Sequence, residues 1–144
     1  MDGWSEVAAH AKRLGPDCFV ATVDPEGGPH LAVVSPGFTD MGMIVATWQE
    51  SAKARNLRAG SKVMFHWVVQ DGTGNDMLLV KGEPRLVDDN ERIDHIWSMG
   101  CLPYDLRDWY DGPDDSRLLF VEIVPTYASL HRNYGRDGRT TWSV

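Results

Sequence analysis

The sequence predicts a mainly β fold, an antiparallel β-barrel of six strands with peripheral α-helices. Three observations lead to it. Six segments read as extended, most of them are joined by hairpin turns, and helical patterning is confined to the N-terminus and to the connections after the third and fifth strands. A doubly wound parallel sheet would need a helix between nearly every pair of strands. The turns PEGG (25–28) and TDMG (39–42) leave no room for one.

The elements follow in order. Trp4, Val7, Ala8, Ala11 and Leu14 share one helical face, and Gly15-Pro16 ends that helix. CFVATVD (18–24) and PHLAVVSP (29–36) are β-branched and apolar, and with PEGG between them they form a hairpin. MIVATW (43–48) is the third strand. In ESAKARNLRAG (50–60) the pattern turns helical, with Ser51 as N-cap and Gly60 closing the helix. SKVMFHWVV (61–69) is nearly continuous in apolar character and reads as a central strand. A polar loop, QDGTGND (70–76), returns the chain into MLLVKGEPRLV (77–87), where Gly82 and Pro84 indicate a bulge or bend. DDNERIDHIWSMG (88–100) is a helix with Ile93, Ile96 and Trp97 inward and Gly100 as its cap. Residues 101–117 form a loop, and so long a loop is often functional. LLFVEIVP (118–125) is the last strand, followed by a polar tail with Arg132, Arg136 and Arg139.

Composition narrows the functions available. The 144 residues are expected to form a single domain, residues 1–144, around one core. With 14 Lys and Arg against 21 Asp and Glu the formal charge is -7, which argues against a nucleic-acid partner held by phosphate neutralisation. A mean hydropathy of -0.33 and the lack of a long apolar run argue against a membrane partner. Cys18 and Cys101 lie far apart and MDGWSEVAAH does not read as a secretion signal, so a cytoplasmic location with free thiols is expected. His10, His30, His66, His95 and His131 show no ligand spacing, and neither cysteine has a CxxC partner, so no metal site is expected. No nucleophile motif is present either, so no catalytic side chain is assigned. If the chain is an enzyme, a cofactor supplies the reactivity.

The most informative stretch is TWQESAKARNL (47–57). It places Thr47 at a strand end, Ser51 at a helix start, and Lys53 and Arg55 in the first turn. Unpaired amides, a hydroxyl and one or two cations suit a phosphate dianion. The same residues also describe an ordinary capped surface helix with solvated cations. From Asp88 to Arg117 nine acids (Asp88, Asp89, Glu91, Asp94, Asp105, Asp108, Asp111, Asp114, Asp115) face three bases (Arg92, Arg107, Arg117), a local net of -6. The tail is the reverse: Arg132, Arg136 and Arg139 against Asp137 give +2, so it could fold over an anion or an acidic neighbour, or be solvated.

The run from Phe19 to Trp67, FVATVDPEGGPHLAVVSPGFTDMGMIVATWQESAKARNLRAGSKVMFHW, resembles the FMN-binding split-barrel family of pyridoxamine 5'-phosphate oxidase, nearest its general stress protein branch. The resemblance continues through MLLVKGEPRLV and DGPDDSRLLFVEIVP. It implies a homodimer of split barrels with FMN in clefts at the interface and a flavin-dependent oxidoreductase acting on a small molecule. It further implies that Ser51 and Lys53 bind the FMN phosphate and that Thr47 and Trp48 sit on the cofactor. The backbone of Ala32, Val33, Val34 and Ser35 would face the isoalloxazine ring, and Asn56 matches an asparagine frequent on that helix. The loop aromatics Tyr104, Trp109 and Tyr110 would close over the site. Ser129 precedes Leu130-His131 where the vitamin-forming oxidases carry arginine, so pyridoxamine phosphate is not the expected substrate. A non-catalytic flavin-binding or redox-sensing protein and a deazaflavin-dependent reductase remain as alternatives. The latter's polyanionic tail would need more cations than Lys53, Arg55 and Arg58.

Overall fold

The structure, a computed structural model, describes residues 1–69 and 74–144. Alternating burial defines the strands. In β1 (Cys18–Val23) the residues Cys18, Val20 and Thr22 point inward, and in β5 (Val63–Val68) so do Val63, Phe65 and Trp67. The remaining strands are β2 (Pro29–Val34), β3 (Gly37–Thr39), β4 (Gly42–Trp48), β6 (Met77–Val87), β7 (Leu118–His131) and β8 (Arg139–Ser143). All the pairings are antiparallel. They run β2-β1-β5-β6-β7-β4-β3, with β8 joined to the far half of β7, making an eight-stranded sheet among the described residues. The sheet is curled, and its mainly β antiparallel architecture is the one expected.

The strand count corrects the sequence reading of six. β3 is three residues long and carries no alternation of its own. β8 (RTTWS) is polar, and it becomes a strand because the 14-residue β7 runs on to His131 and offers a second edge. The expected polar tail is therefore part of the sheet, with Trp142 packed on the core and Trp4 at 6.3 Å from it. The bend expected at Gly82 is a register shift between Lys81 and Gly82, where a Cβ would stand 2.8 Å from the carbonyl oxygen of Val124. Residues 70–73 of the predicted loop 70–76 lie outside the described residues.

Among the described residues three helices cap the sheet. α1 (Trp4–Leu14) buries Ala8 and sends Val7, Ala11 and Leu14 into the main core with Phe65, Trp67, Leu78 and Leu130. α2 (Ala52–Arg58) links β4 to β5. α3 (Asn90–Met99) is capped by Asp89, which accepts from the Arg92 amide, and ends at Gly100 in the left-handed region at φ 62. Ile96 of α3 joins Ile44, Leu106, Tyr110, Leu118 and Phe120 in a second core cluster. The segment 101–117 thus packs through Leu106 and Tyr110, with a single 3-10 turn at Leu106–Asp108. Among the described residues no helix is long and apolar enough to cross a membrane.

Candidate functional site

β2 and β4 stand far apart in the strand order, yet the curl of the sheet brings their ends to one cavity of about 360 Å³. Val33, Val34 and Ser35 line one side of it. Ala46, Thr47 and Trp48 line another, Lys53 enters from α2, and Tyr104, Trp109 and Tyr110 close over from the loop. Sites of this size with a few polar groups among apolar and aromatic walls suit organic ligands.

Lys53 is half-buried. Among the described residues no carboxylate lies within ion-pair distance of its ammonium. Burial alone pushes its pKa below the ordinary lysine value. A cation desolvated without a partner is costly, and an anionic ligand relieves that cost. The neighbouring cations are committed elsewhere: Arg55 donates to the Glu50 carbonyl at 2.6 Å and Arg58 to the Gln49 carbonyl at 2.8 Å.

Local chemistry sets the corner between β4 and α2. The Ser51 hydroxyl oxygen accepts from the Ala54 amide at 3.2 Å and lies 3.2 Å from the Thr47 hydroxyl, which is buried. This is the N-cap that the sequence predicted, and it fixes where Lys53 emerges. Three of the predicted residues stand outside the cavity lining. Ser51 acts as the cap, Ala32 packs against the main core, and Asn56, 7% exposed, donates to the Thr22 hydroxyl at 3.0 Å. That hydrogen bond locks α2 to β1, so Asn56 holds the helix that carries Lys53. Arg132, Arg136 and Arg139 belong to the β7–β8 hairpin and do not line the cavity, so the tail does not fold over it.

The aromatic wall has a support that sequence reasoning missed. Trp48 and Tyr110 have ring centroids 4.7 Å apart, and the Arg117 guanidinium lies 5.5 Å from the Trp48 ring. Asp115 holds Arg117 there through a fork, with Nη2 at 2.6 Å and Nε at 3.0 Å, and also accepts from the amides of Asp111 and Arg117, both at 2.9 Å. These donors keep its carboxyl well below the usual carboxylate range. Asp105 and Arg107 repeat the same fork ten residues earlier. The signal was present in the sequence as two Asp-x-Arg triplets. Read as net charge, each triplet cancels and leaves no signal. Burial pushes the Tyr110 phenol up to about 12, so it is a protonated donor at neutral pH.

Residues 13–132 match the family model described as pyridoxamine 5'-phosphate oxidase. No curated protein matches the sequence. Solved structures share the fold at low identity. A Clostridium acetobutylicum protein related to general stress protein 26 is 16% identical with a TM-score of 0.73, covering 97% of this chain and 91% of its own. A Nostoc punctiforme protein, described as pyridoxamine 5'-phosphate oxidase-related and FMN-binding, is 14% identical with a TM-score of 0.72, over 100% and 98%. A heme-binding protein from Mycobacterium smegmatis is 15% identical with a TM-score of 0.76, over 96% of this chain and 57% of its own.

Proposed function

The chain belongs to the pyridoxamine 5'-phosphate oxidase family, and from that premise we propose that it is an FMN-binding oxidoreductase of a small molecule, working as a homodimer. One observation carries the reading: a half-buried ammonium without a carboxylate partner among the described residues opens into a cavity walled by strand ends and three loop aromatics. Those residues fit the cofactor. Lys53 would hold the phosphate, the backbone at Val33–Ser35 and the Trp48 side chain would flank the ring, and Tyr104, Trp109 and Tyr110 would exclude water. Bound FMN supplies two-electron redox chemistry that no side chain here provides.

The homodimer is supported by the outer face of the sheet. Phe19, Leu31 and Val33 sit side by side there, since Phe19 pairs with Val33 and Ala21 with Leu31, and they are 41%, 63% and 60% exposed. An apolar patch on adjacent strands is a surface for association.

Fluorescence titration with FMN tests the cofactor. Lys53→Ala is expected to weaken binding by about 1.5–3 kcal/mol, the range for a charge-assisted hydrogen bond. Affinity equal to that of the unaltered protein would remove the assignment. Bleaching of the FMN-loaded protein by NADH or NADPH in the presence of an acceptor separates the oxidoreductase from a protein that only stores or senses flavin.

A further inference from the structure

A second cavity of about 420 Å³ adjoins the first, and Tyr104 lines both. Its walls come from the end of α3 and the loop after it. Ile96, Trp97, Leu102 and Leu106 supply its apolar and aromatic part, and Ser98, Cys101 and the Asp105–Arg107 pair its polar part. The charged residues of its lining cancel locally, because Arg107 is forked onto Asp105 at 2.8 and 3.1 Å. An ionic ligand would therefore meet no free countercharge there, which selects for an uncharged occupant. One polar group on the shared wall is uncommitted: the Tyr104 hydroxyl, half-buried, has no hydrogen-bond partner among the described residues. Burial raises its pKa, so it stays a donor at neutral pH. A half-buried phenol gains most from a ligand that accepts its proton.

We propose that this second cavity binds an uncharged planar ring carrying a carbonyl oxygen, of the quinone class, with the Tyr104 hydroxyl donating to that oxygen and the ring against Trp97 and Leu102. The proposal takes from the flavin reading only that Tyr104 also borders the cofactor's cavity. It would give the flavin a neighbouring redox partner with its own chamber.

The test is equilibrium dialysis of 2,3-dimethyl-1,4-naphthoquinone, whose quinone ring has both alkene carbons methylated against addition of the Cys101 thiol, against the full chain with and without saturating FMN. The expected result is saturable binding of one quinone per chain that FMN does not displace. Tyr104→Phe should weaken it about fivefold, the loss of one neutral hydrogen bond. Ser98→Trp, at the exposed rim of the cavity, should abolish it while the thermal melt shows the chain still folded. Displacement by FMN, an unchanged affinity in Tyr104→Phe, or equally tight binding of 2,3-dimethylnaphthalene would each overturn the proposal. The flavin reading fails separately, in the FMN titration, whatever the quinone does.

Discussion

Lys53 and Asp115 carry opposite charges and opposite local situations. Lys53 has no ionic partner among the described residues, whereas Asp115 has its capacity filled by two amides and a guanidinium. The first is the cation assigned to the anion in the proposed site, and the second is a brace. Replacing Asp115 by Ala should release Arg117 from the Trp48 ring and leave the amides of Asp111 and Arg117 without their acceptor. The expected outcome is weaker FMN binding by about threefold to tenfold, together with a shift of indole emission. That magnitude corresponds to roughly 1 kcal/mol of lost positioning. Unchanged FMN affinity would show that the wall does not depend on this fork. At this scale the sequence was partly legible. Ser51 as cap follows from residue type and position, because capping is local. The role of Asn56 was not legible, since its partner Thr22 is 34 residues away in the chain.

Among the elements, the β7–β8 hairpin is tied to the rest of the fold by Asp76. Its Oδ1 accepts from the Asn133 amide at 3.0 Å and its Oδ2 from Arg13 of α1 at 3.1 Å. Both donors hold the Asp76 carboxyl below its ordinary value of 3.8, the amide contributing most. A carboxyl whose pKa is lower in the folded than in the unfolded chain stabilises the fold above the unfolded value. That contribution disappears as pH falls through the folded value. Asp76→Asn should therefore lower Tm at pH 7, and the gap to the unaltered protein should narrow steadily below about pH 4. A gap that stays constant with pH would mean that the carboxylate charge is irrelevant. The hairpin shows why β8 escaped sequence reading: RTTWS has no apolar alternation, and only the length of β7 makes it a strand.

For the molecule as a whole, the curl of the sheet decides both the cavity and the outer face. Two copies meeting through Phe19, Leu31 and Val33 would bring the β2 wall of each cavity to the interface, since Val33 belongs to both surfaces. Leu31 lies on that face outside the cavity lining. Leu31→Arg is expected to shift sedimentation from dimer to monomer, because a pair of guanidiniums would be desolvated near a two-fold axis. Monomeric behaviour of the unaltered protein would end the homodimer proposal. The charge balance of -7 acts at this scale too. It gives no general attraction for a phosphate, so in the proposed site the local cation at Lys53 would have to supply it.

By itself the sequence determined the mainly β antiparallel class, the three helices with the Ser51 cap and the glycines that end them, and the stretch 47–53 that supplies one wall of the cavity with its cation. These follow from periodicity, turn chemistry and capping, which act over a few residues. Only the tertiary structure decided that β2 reaches β4, that β3 and β8 are strands, that Asn56 braces α2, and that the forked Arg117 lies against Trp48. Each of these depends on pairing or packing between segments. The energy of such a pairing depends on a neighbour that no local window contains.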